Sequence, residues 1–264
     1  MPTNQKPLIL LSNDDGIDAE GLRTLADALG GPRVDLLIVA PHTERSAMGH
    51  AISILRDLRL EEHNRNGRPW GWSFEGTPAD CVKMAVQVLA GERKIDLMVS
   101  GMNRGQNLGV NVLYSGTVAA AREAVILGIP GIAISIAYKD LNHVRFDTGA
   151  RVAQDLIPHF LEHPMPDDVL LNVNIPPIDF DEITGYSITR QGDSGFRDKF
   201  EQREGNPSAA GIYRNVGDRF HKSSADHLDL DDTAVDGGKV SITPLHIDTT
   251  AHHHRDSFDD LKLL

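Results

Sequence analysis

Short aliphatic runs alternating with stretches of helical periodicity restrict this chain most. Residues 8–11, 34–40, 95–99, 131–136 and 169–173 are aliphatic and bounded by polar or turn residues, as buried strands are. Between them, Leu22, Leu25, Ala26 and Leu29 share one helical face, closed by Gly30-Gly31-Pro32. Helical spacing recurs over residues 78–90, 117–127 and 146–160. Strands that are apolar on both faces, separated by helices, specify a mostly parallel sheet covered on both sides: an α/β fold. Residues 55–74, with Asn66-Gly67 in the middle, read as an inserted hairpin.

The pattern changes after Pro176-Pro177. Residues 191–236 are rich in Gly, Asp, Arg and Asn, whereas residues 240–245 alternate like a strand and residues 257–264 suit a short terminal helix. The expected organisation is a catalytic core over residues 1–178 and a β-rich extension over residues 179–264. Composition alone fits either an arm packed on another subunit or an irregular loop.

The strand ends carry the chemistry. The first run ends on Asn13, Asp14, Asp15 and Gly16. Adjacent carboxylates repel unless a positive charge lies between them, and a hard divalent cation with oxygen ligands supplies one. The competing reading is a helix-capping Asp with a solvated neighbour. In an open parallel sheet, ligands bind beyond the carboxyl ends of the strands. Two further ends deliver Pro41-His42-Thr43-Glu44-Arg45-Ser46 and Ser100 to Gly109, which makes an oxygen-only shell for Mg²⁺ or Mn²⁺ plausible. Ser115-Gly116-Thr117 opens an Ala-rich helix. It suits either a simple N-cap or a phosphate site built from N–H groups and hydroxyls.

Other features carry less. His252-His253-His254 and Asp229 to Asp232 lack the geometry of a metal site, and His42 and His50 fit structural or acid–base roles equally. Trp70 and Trp72 are expected on one hairpin face, and Cys81 in the core. A net charge of −12 argues against duplex nucleic acid as a partner. No apolar run approaches the roughly 20 residues that cross a bilayer. One cysteine and an N-terminus without signal-peptide character lead us to expect a soluble, cytoplasmic protein.

The segments LILLSNDDG (8–16), VAPHTERS (39–46), GTPADCV (76–82), VSGMNRGQNLG (99–109), YSGTVAAA (114–121), LNVNIP (171–176) and AVDGGKVSITPL (234–245) together resemble the SurE family of survival proteins, which are metal-dependent nucleotidases. The resemblance implies a Rossmann-like three-layer α/β/α core, with a C-terminal arm exchanged within a homodimer or a dimer of dimers. It implies one divalent cation per subunit on Asp14, Asp15, Ser46 and Asn103. Phosphate contacts would come from Asn13, Asn107, Ser115, Gly116 and Thr117. The implied reaction is hydrolysis of nucleoside monophosphates at the 5' and sometimes the 3' position, with some action on polyphosphate. Asp14 would act as base for an attacking water or as covalent nucleophile, and the residues do not choose between them. Two departures stand out: Ala47 replaces a frequent glycine, and Leu230 replaces the Thr of a Gly-Thr-Asp motif. A receiver-like signalling module is the alternative, disfavoured because Ser100-Gly101 stands where the phosphoacceptor Asp would be.

Overall fold

The computed structural model describes residues 5–163, 165–205, 210–220 and 229–258. In chain order its main elements are β1 (Leu8–Ser12), α1 (Glu20–Leu29), β2 (Asp35–Pro41), β3 (Leu60–Arg65), β4 (Arg68–Phe74), α2 (Pro78–Met84), β5 (Leu97–Arg104), α3 (Gly116–Ile126), β6 (Gly131–Ile136), α4 (Phe146–Glu162) and β7 (Val169–Ile175). They continue with β8 (Tyr186–Ile188), β9 (Gly195–Arg197), β10 (Phe200–Gly205), β11 (Gly211–Asn215), β12 (Asp218–Phe220), α5 (Asp231–Asp236) and β13 (Val240–His246).

Nine strands form one sheet in the order β3-β4-β2-β1-β5-β6-β7-β13-β8. The pairings from β2 through β7 are parallel. Strand alternation then divides the core in two. Ile9 and Leu11 face a cluster with Leu22 and Leu25 of α1 and Val152 and Ile157 of α4. Leu8 and Leu10 face Cys81 and Val82 of α2 and the alanines of α3. The three layers follow from this two-sided burial. On the α3 side, β6 presents Gly131 and Ala133, and a Cβ at Gly131 would lie 2.3 Å from Ala121 O. Small residues on both elements therefore let α3 sit close to the sheet.

The hairpin forms with Asn66 and Gly67 both at positive φ in its two-residue turn, and β4 joins the main sheet beside β2. The shared face expected for its tryptophans does not occur. Trp70 is an extra residue at a bulge, since His63 pairs with Gly71 while Asn64 pairs with Pro69. Trp70 consequently packs against one core and Trp72 against the other.

The C-terminal third departs furthest from expectation. Residues 240–245 do not await another chain: β13 pairs antiparallel with β7 and parallel with β8. The sheet thus takes two strands from beyond residue 178, and that position is no boundary of the sheet. Asp231 likewise packs within its own chain, fully buried. Its carboxylate accepts from Gly109 N and Gly192 N, both at 2.9 Å, and from Asp232 N at 2.8 Å. Only β9 to β12 stay outside the main sheet, as two small antiparallel pairs with Phe196, Phe200, Ile212 and Tyr213 exposed. At the C-terminus a 3-10 helix covers His252–Phe258, and residues 259–264 of the expected helix lie outside the described residues.

Three backbone donors converging on one buried carboxylate make Asp231 the clasp between α5 and the loop after β5. Asp231→Ala strands those donors, and we expect a loss of about 2–4 kcal/mol, read as a lower midpoint in urea unfolding.

Candidate functional site

The chain leaves β1 toward β2 on one side and returns to β5 on the other, so the gap between β1 and β5 is the switch point of the sheet. Asp14 and Asp15 stand at that point. Arg45 N donates to Asp14 O at 2.7 Å and Ile17 N to Pro41 O at 2.9 Å, which ties the end of β1 to the end of β2. Arg104 N reaches Asp15 Oδ2 at 3.4 Å from β5. The expected boundary at Val99 was early, because β5 runs on to Arg104. Between Ser100 and Asn103 it gains one residue relative to β6, and this bulge re-aims Asn103.

Asp14 is 4% exposed. Thr117 Oγ1 donates to its Oδ1 at 2.5 Å, and the Thr117 backbone N–H also favours its ionised form. The carboxylate therefore occupies the positive end of α3. A Cβ at Gly116 would meet Asp14 Cβ at 2.7 Å and Oδ2 at 2.9 Å, so this approach requires glycine. Burial nevertheless dominates, and with the nearby charge of Asp15 it pushes the Asp14 carboxyl up to about 6. Asp15 is raised too, chiefly by burial and in part by Glu44, and Arg104 partly offsets this.

The other expected site residues fall into two groups. Ser46 is exposed on the loop after β2, and its hydroxyl donates to Glu44 Oε1 at 2.7 Å. Asn103 Nδ2 donates to Gly105 O at 2.6 Å, which leaves its Oδ1 as the oxygen available to a cation. Their segments adjoin the acidic pair through neighbouring residues: Arg45 N donates to Asp14 O, and Arg104 N reaches Asp15 Oδ2. The remaining side chains are committed elsewhere. Asn13 closes its own turn through Gly16, donating at 3.0 Å and accepting at 3.2 Å. Asn107 donates to Ser135 Oγ at 2.8 Å, and its backbone is held by Asn172 and Asn174. Ser115 accepts from Val118 N at 3.1 Å as a helix cap. Of the two hydroxyls at the Ser-Gly-Thr start, one caps α3, as the N-cap reading expects, and the other binds Asp14.

Glu44 and Arg104 are additions to the expected site. Their signal was adjacency, since Glu44 lies two residues before Ser46 and Arg104 follows Asn103. The loop carrying Ser46 is also pinned by Gly49 N to Tyr114 O, by Thr77 Oγ1 to Ala51 O, by Ser53 N to Asp80, and by His50 Nε2 to the buried Glu123 at 2.8 Å. Lys83 pairs with Glu123 as well. His50 thus has a structural role, as does His42, which bonds Ser73 Oγ at 2.9 Å.

The donor chemistry fits a hard cation. Asp14, raised by burial and by the charge of Asp15, and Asp15, raised by burial and by Glu44, form with the carboxamide and hydroxyl of the adjoining segments an oxygen set that a divalent ion would neutralise. No group of three or more His, Cys, Asp or Glu suited to a metal occurs among the described residues, so the neutral oxygens of Ser46 and Asn103 are needed to complete a shell.

Comparison with known proteins bears on this geometry. The family model described as survival protein SurE matches residues 9–198. The chain belongs to the SurE family. It is 43% identical over 251 residues to the 5'-nucleotidase SurE of Carboxydothermus hydrogenoformans, covering 93% of this chain and 92% of that one. With the 5'-nucleotidase SurE of Crocosphaera subtropica it shares 42% over 253 residues, covering 92% and 90%. The crystal structure of the SurE protein from Aquifex aeolicus superposes with a TM-score of 0.79 at 34% identity, over 95% of this chain and 98% of that one.

A carboxyl raised from 3.8 to about 6 binds its proton more tightly in the folded than in the unfolded state. The metal-free protein should therefore lose stability as pH rises through that interval and level off above it. Asp14→Asn removes the buried charge, so it should flatten this slope and stabilise the metal-free protein by about 1–3 kcal/mol at pH 8. Thermal unfolding of both proteins in chelator from pH 4 to pH 8 provides the check.

Proposed function

We propose that this chain is a divalent-cation-dependent phosphomonoesterase that removes phosphate from nucleoside monophosphates, a 5'-nucleotidase. The observation that carries the chemistry is the buried Asp14 carboxylate at the switch point, next to Asp15 and raised toward neutrality. Relatives about 40% identical over nearly the whole chain bear the name 5'-nucleotidase SurE, which supports the substrate class. Action on 3'-nucleotides belongs to the same reading.

Asp14, Asp15, Ser46 and Asn103 would hold one Mg²⁺ or Mn²⁺. A bound cation supplies charge neutralisation for the phosphoryl group and lowers the pKa of a coordinated water. Of the two roles open to Asp14, we favour general base. A buried carboxylate kept ionised beside a bound cation could accept a proton from a water at that cation. Thr117 Oγ1 fixes Oδ1 of that carboxylate, and the lack of a side chain at 116 lets α3 approach Oδ2 closely. We assign the Gly116 N–H, at the start of α3, to a phosphate oxygen; the Thr117 hydroxyl and N–H are taken by Asp14 and the Val118 N–H by Ser115 Oγ. Asn13, Asn107 and Ser115 shape the surrounding loops, through the bonds they make within the chain.

The proposed assembly is a homodimer or a dimer of dimers, with β9 to β12 as the exchanged arm in place of the segment near Asp231. Supporting this are the exposed Phe196, Phe200, Ile212 and Tyr213, which a single chain leaves uncovered. The proposed setting is the cytoplasm, in keeping with a buried free thiol at Cys81. No helix among the described residues is long and apolar enough to cross a membrane.

Phosphate release from a nucleotide panel should stop with chelator and return with Mn²⁺ or Mg²⁺. Asp15→Asn should lower turnover at least 100-fold and weaken metal binding without loss of folded structure; near-normal turnover with unchanged metal affinity would remove Asp15 from the site. Light scattering should give at least twice the monomer mass, whereas an active monomer at micromolar concentration would overturn the exchanged arm.

A further inference from the structure

A cleft of about 730 Å³ opens directly beside Asp15. Its lining includes Arg104 at the end of β5 and, from the loop between β6 and α4, Leu141, Asn142 and His143. Phe146, at the start of α4, contributes apolar surface. The volume is in the range of small-molecule sites. We propose that this cleft receives the nucleoside portion of the substrate, with Arg104 and the 141–143 loop as its specificity-determining contacts. The inference rests on the nucleotidase reading and adds to it where the leaving group lies.

Charge selects a nucleoside over a second phosphate. His143 Nδ1 is engaged by Asp140 Oδ2 at 2.8 Å, and Arg145 Nη1 by Asp179 Oδ1 at 2.6 Å. Arg104 is the remaining cation of the lining, and it stands against Asp15, Glu20 and Asp147. A pyrophosphate or polyphosphate chain entering here would meet carboxylates without surplus positive charge. A nucleoside is neutral and has flat apolar faces with hydrogen-bonding edges. Leu141 and Phe146 suit the faces, the Asn142 carboxamide suits an edge, and a guanidinium such as that of Arg104 stacks readily on an aromatic ring.

The loop is built to hold this part of the lining. Asp140 accepts from Asn142 N at 3.0 Å as well as from the His143 ring, and His143 N donates to Asp140 O at 3.0 Å. These bonds hold the Asp140 carboxyl below its ordinary range. Leu141 is 54% exposed and the His143 side chain 81% exposed, so both are accessible to a ligand in the cleft.

The test is the paired change Leu141→Ala and His143→Ala in the full chain, at two exposed positions away from the metal ligands. For adenosine monophosphate, KM should rise about tenfold with kcat within about twofold, the size of one or two lost contacts. For glycerol phosphate, whose leaving group is too small to span the cleft, kcat/KM should not change. Calorimetry with adenosine alone should show about tenfold weaker binding to the variant. An unchanged KM for the nucleotide, or an equal loss on glycerol phosphate, would overturn the assignment. If the intact protein hydrolyses no ester, the nucleotidase reading fails, and adenosine binding still decides whether the cleft takes a nucleoside.

Discussion

A carboxylate buried at the end of a strand is costly unless donors surround it, and the site depends on how Asp14 meets that demand. The start of α3 supplies the donors, through the Thr117 hydroxyl and backbone N–H. For α3 to come so close, position 116 must lack a side chain, and the helix must be slender enough to lie against β6. Its alanines and the small residues Gly131 and Ala133 satisfy the second condition. The packing of one helix on one strand is thereby linked to the protonation of one carboxyl.

The donors around Asp14 do not fully compensate its burial, because its carboxyl remains raised. A site left short of positive charge in this way is prepared for a cation, and it keeps a destabilised group where reactivity is needed. Compare Asp231, which is also buried and also raised but accepts from three backbone N–H groups. Those bonds join α5, the residue 192 region and the end of the loop after β5. The same side chain serves reactivity in one place and cohesion in the other, according to which partners surround it.

Much of the core and part of the site were legible in the sequence. Aliphatic runs buried on both faces state their own structure, because few alternatives hide so much apolar surface, and the order of strands and helices over residues 8–175 followed. The acidic pair after the first run and the Ser-Gly-Thr helix start, both singled out in the sequence, meet in the fold through Thr117 and Asp14. Adjacency along the chain, however, says little about direction. The bulges at Trp70 and after Ser100 each shift the alternation by one residue, which a simple period cannot show.

What the sequence determined by itself was therefore local: which segments are buried, where they turn, and which polar residues stand at their ends. Only the tertiary structure decided what those polar groups bond to. Asn13, Asn107 and Ser115 stand at such ends, and each makes a bond within the chain to a neighbouring loop, strand or helix turn. Residues 240–245 looked like a strand in search of a partner and found β7 in their own sheet. The physical reason is common to both cases. Hydrogen-bond donors and acceptors are paired with whatever the fold brings within about 3 Å, and the sequence separations involved, 65 residues from Asn107 to Asn172 and 122 from Gly109 to Asp231, leave no trace in any local pattern.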